Sequence, residues 1–469
     1  MSLRRLYTRR EMIRSSLAAA LAGAPLLRAA AAAGPREFDI RKYGAVGDGT
    51  TLDTAAIQRA IDEAAAAGKG ARVLVPGGKR YLIGGLQLRG GIEFHLADDA
   101  ELLVGTEAAL FPERAALHAL EAHGLRITGT GQINGRARDF MVRFNEEREI
   151  WQPKEFRPRL AVLTGCHDLD VRDVTFHDAP SWTLHLLGCQ GVRVDGVKIR
   201  NQLDVPNCDG IDPDHCRDVE IQNCDIACGD DAIVIKATAE GAAYGGSHNI
   251  RVRDCVLATQ DSGVKIGTET VSDIRGIRFE RCEIKSSCRG CTIQLRDGGN
   301  VSDIEFRDIH FTARYHSAPW WGRGEAISFT AFPRTPDSKL GTISNVRVVN
   351  LTGRAENSVR ISGSPQSRIR DVRFEHVDLT FGRWTKYPGG EWDNRPTTAI
   401  AGIEKHATPA IHVRHADDVS FKDCRIAWEA NPPDYFTHAL EAEDVTGLGH
   451  AGLAGAAAHP ERDEAIKIH

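Results

Sequence analysis

The sequence lacks an apolar run long enough to cross a membrane as a helix. Its best candidate, Leu17–Leu27, has 11 residues, against the roughly 18 or more required. It also lacks an excess of basic residues, with a formal net charge of −5. Within residues 1–33, six arginines against one glutamate give +5, which leaves −10 on the remainder. An acidic body without clustered Lys and Arg excludes nucleic acid as the expected partner. It also gives a polyanionic substrate no general attraction, so such a substrate would need local basic residues. The 11 cysteines are odd in number and match no zinc spacing. Aromatics are few, at 6%, while the 46 glycines suit a chain with many tight turns.

Residues 1–33 carry the order of a secretory signal: Arg9 and Arg10, a short apolar core, then the small-residue stretch Ala29–Ala33. The paired arginines resemble a twin-arginine signal, the route for proteins that cross the membrane already folded. The expected location is therefore periplasmic or secreted, with cleavage near Ala33 and no membrane attachment after removal.

Beyond that segment a short unit recurs, of alternating apolar residues, a polar bend, and a second alternation. It reads Leu169-Val171-Val174-Phe176, then Val192-Val194-Val197-Ile199, Val219-Ile221-Cys224-Ile226, Ile250-Val252-Cys255-Leu257, Ile277-Phe279-Cys282-Ile284 and Ile304-Phe306-Ile309-Phe311. Later copies begin at Val372 and Val419. The alternation is a strand signal, and Asp or Asn between the halves marks a sharp bend. Start-to-start intervals of 23, 27, 31, 27 and 27 residues accommodate about three short strands each. Helical repeats would need apolar spacing near 3.6, and leucine-rich repeats a regular Leu and Asn framework; both are missing. The surviving architecture is all-β, a single right-handed parallel β-helix over residues 34–446. Repeated Cys at one place in the unit favours buried, stacked thiols over bridges, with Cys288 and Cys291 as possible exceptions.

The segment Asp53–Ala67 predicts a helix that covers the N-terminal end of the solenoid, capped by Thr51 or Asp53, with Ala56, Ile57, Ala60, Ile61 and Ala64 on one face. The stretches Ala313–Thr342 and Trp384–Ile403 read as long loops on the binding face. Residues 447–469 are rich in Gly and Ala and read as a tail without strong structure.

The most informative stretches are Asn207-Cys208-Asp209-Gly210-Ile211-Asp212-Pro213-Asp214 and Cys228-Gly229-Asp230-Asp231-Ala232, with Asp209, Asp230 and Asp231 as the candidates for chemistry. Asp209 and Asp230 are 21 residues apart, close to one turn, so stacking brings them onto one flank. Acids so gathered raise one another's pKa, which is how a carboxyl keeps a proton to donate near neutral pH. A lone Asp of this kind is ordinarily a turn residue. Three on one flank point to glycoside hydrolysis, which needs one acid and one base or nucleophile.

These motifs resemble those of family 28 of the glycoside hydrolases, the polygalacturonase-like enzymes with the pectin-lyase-like solenoid. Phe38–Gly49 with Asp53-Thr54 resembles the N-terminal segment of pectin-degrading β-helices. Asn207-Cys208-Asp209 resembles the family's Asn-Thr-Asp motif, and Gly229-Asp230-Asp231 its Asp-Asp motif. The resemblance implies an inverting hydrolase with Asp230 as general acid, Asp209 and Asp231 activating water, and no metal or other cofactor. Two places depart from the family. Ser262 stands where its Gly-His-Gly motif has His, and Thr292-Ile293-Gln294 stands where it has Arg-Ile-Lys, the holder of a uronate carboxylate. Lys265 and Arg296 are candidates to supply charge from altered positions, and the substrate is expected to be a pectin-type chain with altered specificity, such as rhamnogalacturonan-derived or neutral sugars.

Further candidate substrate contacts are Asn207, Lys236, Glu269 and Gln294, with Trp320, Trp321 and Arg323 in the first long loop. The two tryptophans fit sugar stacking and loop sealing equally well. Trp182 and His185 are expected to pack, and His215 to belong to a turn. A monomer is expected. Two other readings stay open: a β-helix polysaccharide lyase, in which the Asp cluster holds calcium, and a β-helix that binds sugar without cleaving it.

Overall fold

The computed structural model describes residues 36–469; the export segment expected at residues 1–33 lies outside them. From Glu37 onward the chain winds into a parallel β-helix. The recurring unit forms two strands of each coil, and the segment between units forms the remaining one. In the first ladder, Arg159–Thr164, Leu184–Leu187, Ile211–Asp214, Ile233–Ala237, Ser262–Thr270 and Arg289–Leu295 pair in parallel, each with its equivalent one coil on. The second ladder stacks Gln190–Asp195, Arg217–Gln222, Ser247–Arg253 and Ile274–Glu280. The third stacks Lys198–Arg200, Asp225–Cys228, Val256–Thr259 and Glu283–Ser287. Farther along, the strands Val301–Ala313, Ile343–Ala355 and Ile369–Phe381 run through the bend and serve both of these ladders.

The bend between halves has a backbone cause. Asp173, Asn223, Asp254 and Asp308 have φ of 64°, 54°, 57° and 54°, a left-handed conformation that Asp and Asn tolerate better than most residues. Once the chain turns there, alternate side chains point inward. Val219, Ile221, Cys224 and Ile226 are buried, and their equivalents in neighbouring coils join them in one continuous core. Phe279 and Phe306 stack there with centroids 5.3 Å apart.

The helix occupies Thr54–Ala66 and buries the expected face of Ala56, Ile57, Ala60, Ile61 and Ala64. Asp53 does not cap it through its side chain. The carboxylate instead accepts from the Val46 and Gly47 amides at 2.7 and 3.0 Å, fastening the preceding loop. Two other expectations need correction. The stretch Ala313–Thr342 is not one loop, because Glu325–Ala331 within it pairs with Arg289–Leu295 and Asn357–Ser362. The residues set apart as a tail after 446 continue the solenoid: Leu453–Ala454 and Ile466–Ile468 pair with Cys424–Trp428 and Leu440–Thr446. Within that Gly- and Ala-rich stretch the strands themselves bring Leu453 and Ile466, which pack against the core. Among the described residues no helix is long and apolar enough to cross a membrane.

All 11 cysteines are free and buried, Cys288 and Cys291 included. Cys224, Cys255 and Cys282 succeed one another coil by coil, and each thiol donates to the carbonyl two residues earlier, at 3.2 to 3.4 Å. The thiol fills a small apolar place and caps a turn carbonyl at once. A thiol reagent should therefore label none of the 11 cysteines in the native protein and all of them after denaturation; a fast-reacting native thiol would contradict this packing.

Candidate active site

The site forms at the leading edge of the first ladder, where each coil leaves the third ladder and enters the next strand. The Gly210 amide donates to the Asp231 carbonyl at 2.9 Å, and Ile211 pairs with Ile233. The register thus sets Asp209 beside Asp231, with Asp230 one residue out. Glycine is required at two places. A Cβ on Gly210 would meet the Ala232 carbonyl oxygen at 2.3 Å, and one on Gly229 the Val205 carbonyl oxygen at 2.3 Å. Close approach of these coils gathers the three aspartates, so that one oxygen from each lies within 4.8 Å of the others.

They line a cleft with roughly 740 Å³ of open space. Asp209 and Asp231 are each only 2% exposed. Asp230 accepts from the Asn207 amide at 3.2 Å, and Asn207 adopts φ 58° to present it. Lys265 donates to Asp231 at 2.7 Å. Lys236 lies 3.5 Å from Asp209, 3.6 Å from Asp212 and 3.5 Å from Glu269. Two aromatic rings flank these cations: Trp182 with its centroid 4.3 Å from the Lys236 ammonium, and Trp321 5.7 Å from that of Lys265.

Electrostatics divide the acids. Burial pushes Asp230 up to about 8, and repulsion from Asp209 and Asp231 adds to it. Burial, then Asp212, drives Asp209 well above the carboxylate range. Asp212, beneath the cleft, is pushed up to about 7 chiefly by burial, and neither of its oxygens has a hydrogen-bond partner. Asp261 is raised by burial and by Asp231. Burial opposes the charge on Lys236, yet Glu269, Asp209 and Asp212 hold its pKa well above the ordinary value. Such an array keeps at least one proton among its acids at neutral pH and titrates as a unit. It can offer a proton on one carboxyl and accept one on another. The same three aspartates could offer oxygens to a cation, although two ammonium groups already supply positive charge there.

Of the residues singled out in the sequence, Asn207, Asp209, Asp230, Asp231, Lys236, Lys265, Glu269, Trp320 and Trp321 line this cleft. The tryptophans divide their roles. Trp320 is buried and bonds the Glu149 carbonyl, whereas Trp321 is half-buried. Ser262, Gln294, Arg296 and Arg323 do not reach the cleft. The Ser262 hydroxyl is buried against Asp261 at 3.0 Å. The segment Glu391–Arg395 folds over the other three: Gln294 donates to the Arg395 carbonyl, Arg296 to those of Asn394 and Thr330, and Arg323 to Asp393. Burial lowers Arg296 to about 9, with Arg289 adding repulsion. Asp212, Asp261 and Trp182 belong to the site and were not assigned to it from sequence. Asp261 follows Asp231 by 30 residues, near one coil, and that periodicity was the available signal.

The chain is similar to known proteins over most of its length. Residues 68–390 match the model described as glycosyl hydrolases family 28, and residues 38–94 one described as rhamnogalacturonase A/epimerase, pectate lyase-like. A probable polygalacturonase of Vitis vinifera is 29% identical over 402 residues, 78% of each chain. A polygalacturonase of Chamaecyparis obtusa is 26% identical over 58% of this chain, which spans only 53% of that protein. In fold, the chain is similar to a family 28 exopolygalacturonase of Yersinia enterocolitica, with TM-score 0.71 and 17% identity over 90% of this chain and 80% of that one. It is also similar to an exopolygalacturonase of Thermotoga maritima, with TM-score 0.63 and 20% identity over 84% and 93%. With the family model matched over more than half of its length, the chain belongs to family 28 of the glycosyl hydrolases.

Proposed function

We propose that the protein hydrolyses a glycosidic bond in a pectin-type polysaccharide or oligosaccharide, with Asp230 as general acid and Asp209 and Asp231 orienting water. The observation that carries this reading is the set of carboxylates whose oxygens lie within 4.8 Å of one another, one of them held protonated to about pH 8. Asp230 passes its proton to the leaving oxygen as the C1–O bond breaks. Water attacks C1 and yields its proton to Asp231, the carboxylate that Lys265 binds directly at 2.7 Å, while Asp209 helps to hold the water. Spacing alone favours retention, since retaining pairs sit ~5–5.5 Å apart and inverting pairs ~6.5–9.5 Å. The family resemblance favours inversion, and the third carboxylate supports it by leaving two acids to orient water while Asp230 donates. Product anomers followed by NMR decide the matter, and an initial product of unchanged configuration defeats the inverting reading.

The same geometry supports an altered specificity at the bond. Thr292 and Gln294 supply no cation there, and Arg296 is buried away from the cleft. The two cations that remain are already committed, Lys265 to Asp231 and Lys236 to Asp209, Asp212 and Glu269. A neutral or esterified sugar therefore fits this position better than a free uronate. In a screen of pectic fragments, including rhamnogalacturonan oligomers, a bond flanked by such a sugar should be cut faster than homogalacturonan; the reverse order would refute this specificity.

Asp230→Asn should lower kcat by about 100-fold or more, the usual worth of a placed proton donor, and an unchanged rate would remove it from that role. In the unaltered protein the rate should fall as pH rises through about 8, because the acid then loses its proton. A rate–pH profile still rising at pH 9 would contradict the assignment.

A further inference from the structure

Beside the cleft, on its N-terminal side, lies a second recess with roughly 500 Å³ of open space, lined by Arg114, Glu155, Arg157, Arg159 and Ser181. Three guanidinium groups face one carboxylate there, on a body whose formal charge is −10 beyond residue 33. Their charges are poorly answered. Arg159 has one ion pair, to Glu240 at 3.6 Å, and among the described residues Arg114 and Arg157 have none within 4 Å. Arg114 lies over the Phe156 ring instead. Arg157 donates only to neutral oxygens, those of Pro180, Pro206 and the Asn207 side chain. Burial lowers its pKa, as for a cation awaiting a counter-charge.

The recess continues the edge that carries the acids. The Arg159 amide bonds the Arg114 carbonyl, Leu160 bonds Trp182, Thr183 bonds Asp209, and Gly210 bonds Asp231. At ~4.8 Å per coil, Arg159 stands ~10 Å and Arg114 ~14 Å from Asp209 along the solenoid, the reach of a few sugar rings. Trp182 stands between the two spaces, with Lys236 on its cleft side and Arg159 4.7 Å from its centroid.

We propose that this recess is a distal subsite for the free carboxylate of an acidic sugar in the same oligosaccharide whose bond is cut at Asp230. The proposal rests on the hydrolase reading given above. Carboxylate recognition then stands on the N-terminal side of the acids, while the C-terminal side, to which Thr292 and Gln294 bring no cation, takes a sugar without free charge. Guanidinium suits the task, since its planar fork matches a carboxylate.

Calorimetric titration of the Asp230→Asn protein, which does not consume its ligand, tests the subsite. The ligands are an oligouronide with free carboxylates and the same oligomer fully methyl-esterified. The free acid should bind more tightly. Adding Arg114→Gln and Arg159→Gln should weaken it about tenfold, the equivalent of ~1.4 kcal/mol, and leave the ester nearly unchanged. Arg114→Lys keeps the charge and loses the fork, so its affinity for the free acid should fall between those of the unaltered residue and Arg114→Gln. Arg159 also touches His185 and Trp182, so Arg114→Gln alone, at an exposed side chain, should show the same selectivity to a smaller extent if the double variant unfolds. Equal losses for both ligands, no loss, or no preference for the free acid would overturn the proposal. Cleavage of pectic fragments by the unaltered protein tests the hydrolase reading separately.

Discussion

The hydrogen bond from the Gly210 amide to the Asp231 carbonyl is the contact on which the site depends. It locks two successive coils in the register that sets Asp209 beside Asp231, and it forms only because residues 210 and 229 have no side chain to hold the coils apart. The carboxylates do not choose to be near one another. They are carried there by a backbone ladder whose favourable energy lies elsewhere, in the apolar column running the length of the solenoid.

That arrangement has an electrostatic cost, and the surrounding residues reduce it. Lys265 binds Asp231 directly, while Lys236 stands among Asp209, Asp212 and Glu269. Neither lysine removes the effect of burial on Asp230, which stays protonated to about pH 8. The lysines therefore hold the array together without abolishing the difference among its members. Because its pKa is raised on folding, Asp230 lowers stability progressively as pH rises from about 4, where the unfolded carboxyl ionises, to about 8, and by a constant amount above that.

Local periodicity made much of this legible. The repeat around Leu169, Val192, Val219 and Ile250 identifies the solenoid because each copy contributes the same inward residues, and Asp209, Asp230 and Asp231 follow from their place at the edge of successive copies. Gln294, Arg296 and Arg323 could not be placed in the same way. What covers them is the segment Glu391–Arg395, between 68 and 101 residues later in the chain, and no local pattern announces that contact. Trp182 was expected to pack and does so against cations, which puts it in the cleft wall. The two strands beyond residue 446 were illegible for another reason: at two and three residues they are too short to show an alternation, although Leu453 and Ile466 pack against the core.

The aspartates and both lysines of the array come from a single span, residues 209–265, wound into neighbouring coils. In a stack where each layer touches only the next, layers gained or lost near either terminus would leave that span's internal spacing intact. Evolution can thus lengthen or shorten the trough along which a polymer lies, and so retune how many units it grips, without touching the atoms that break the bond.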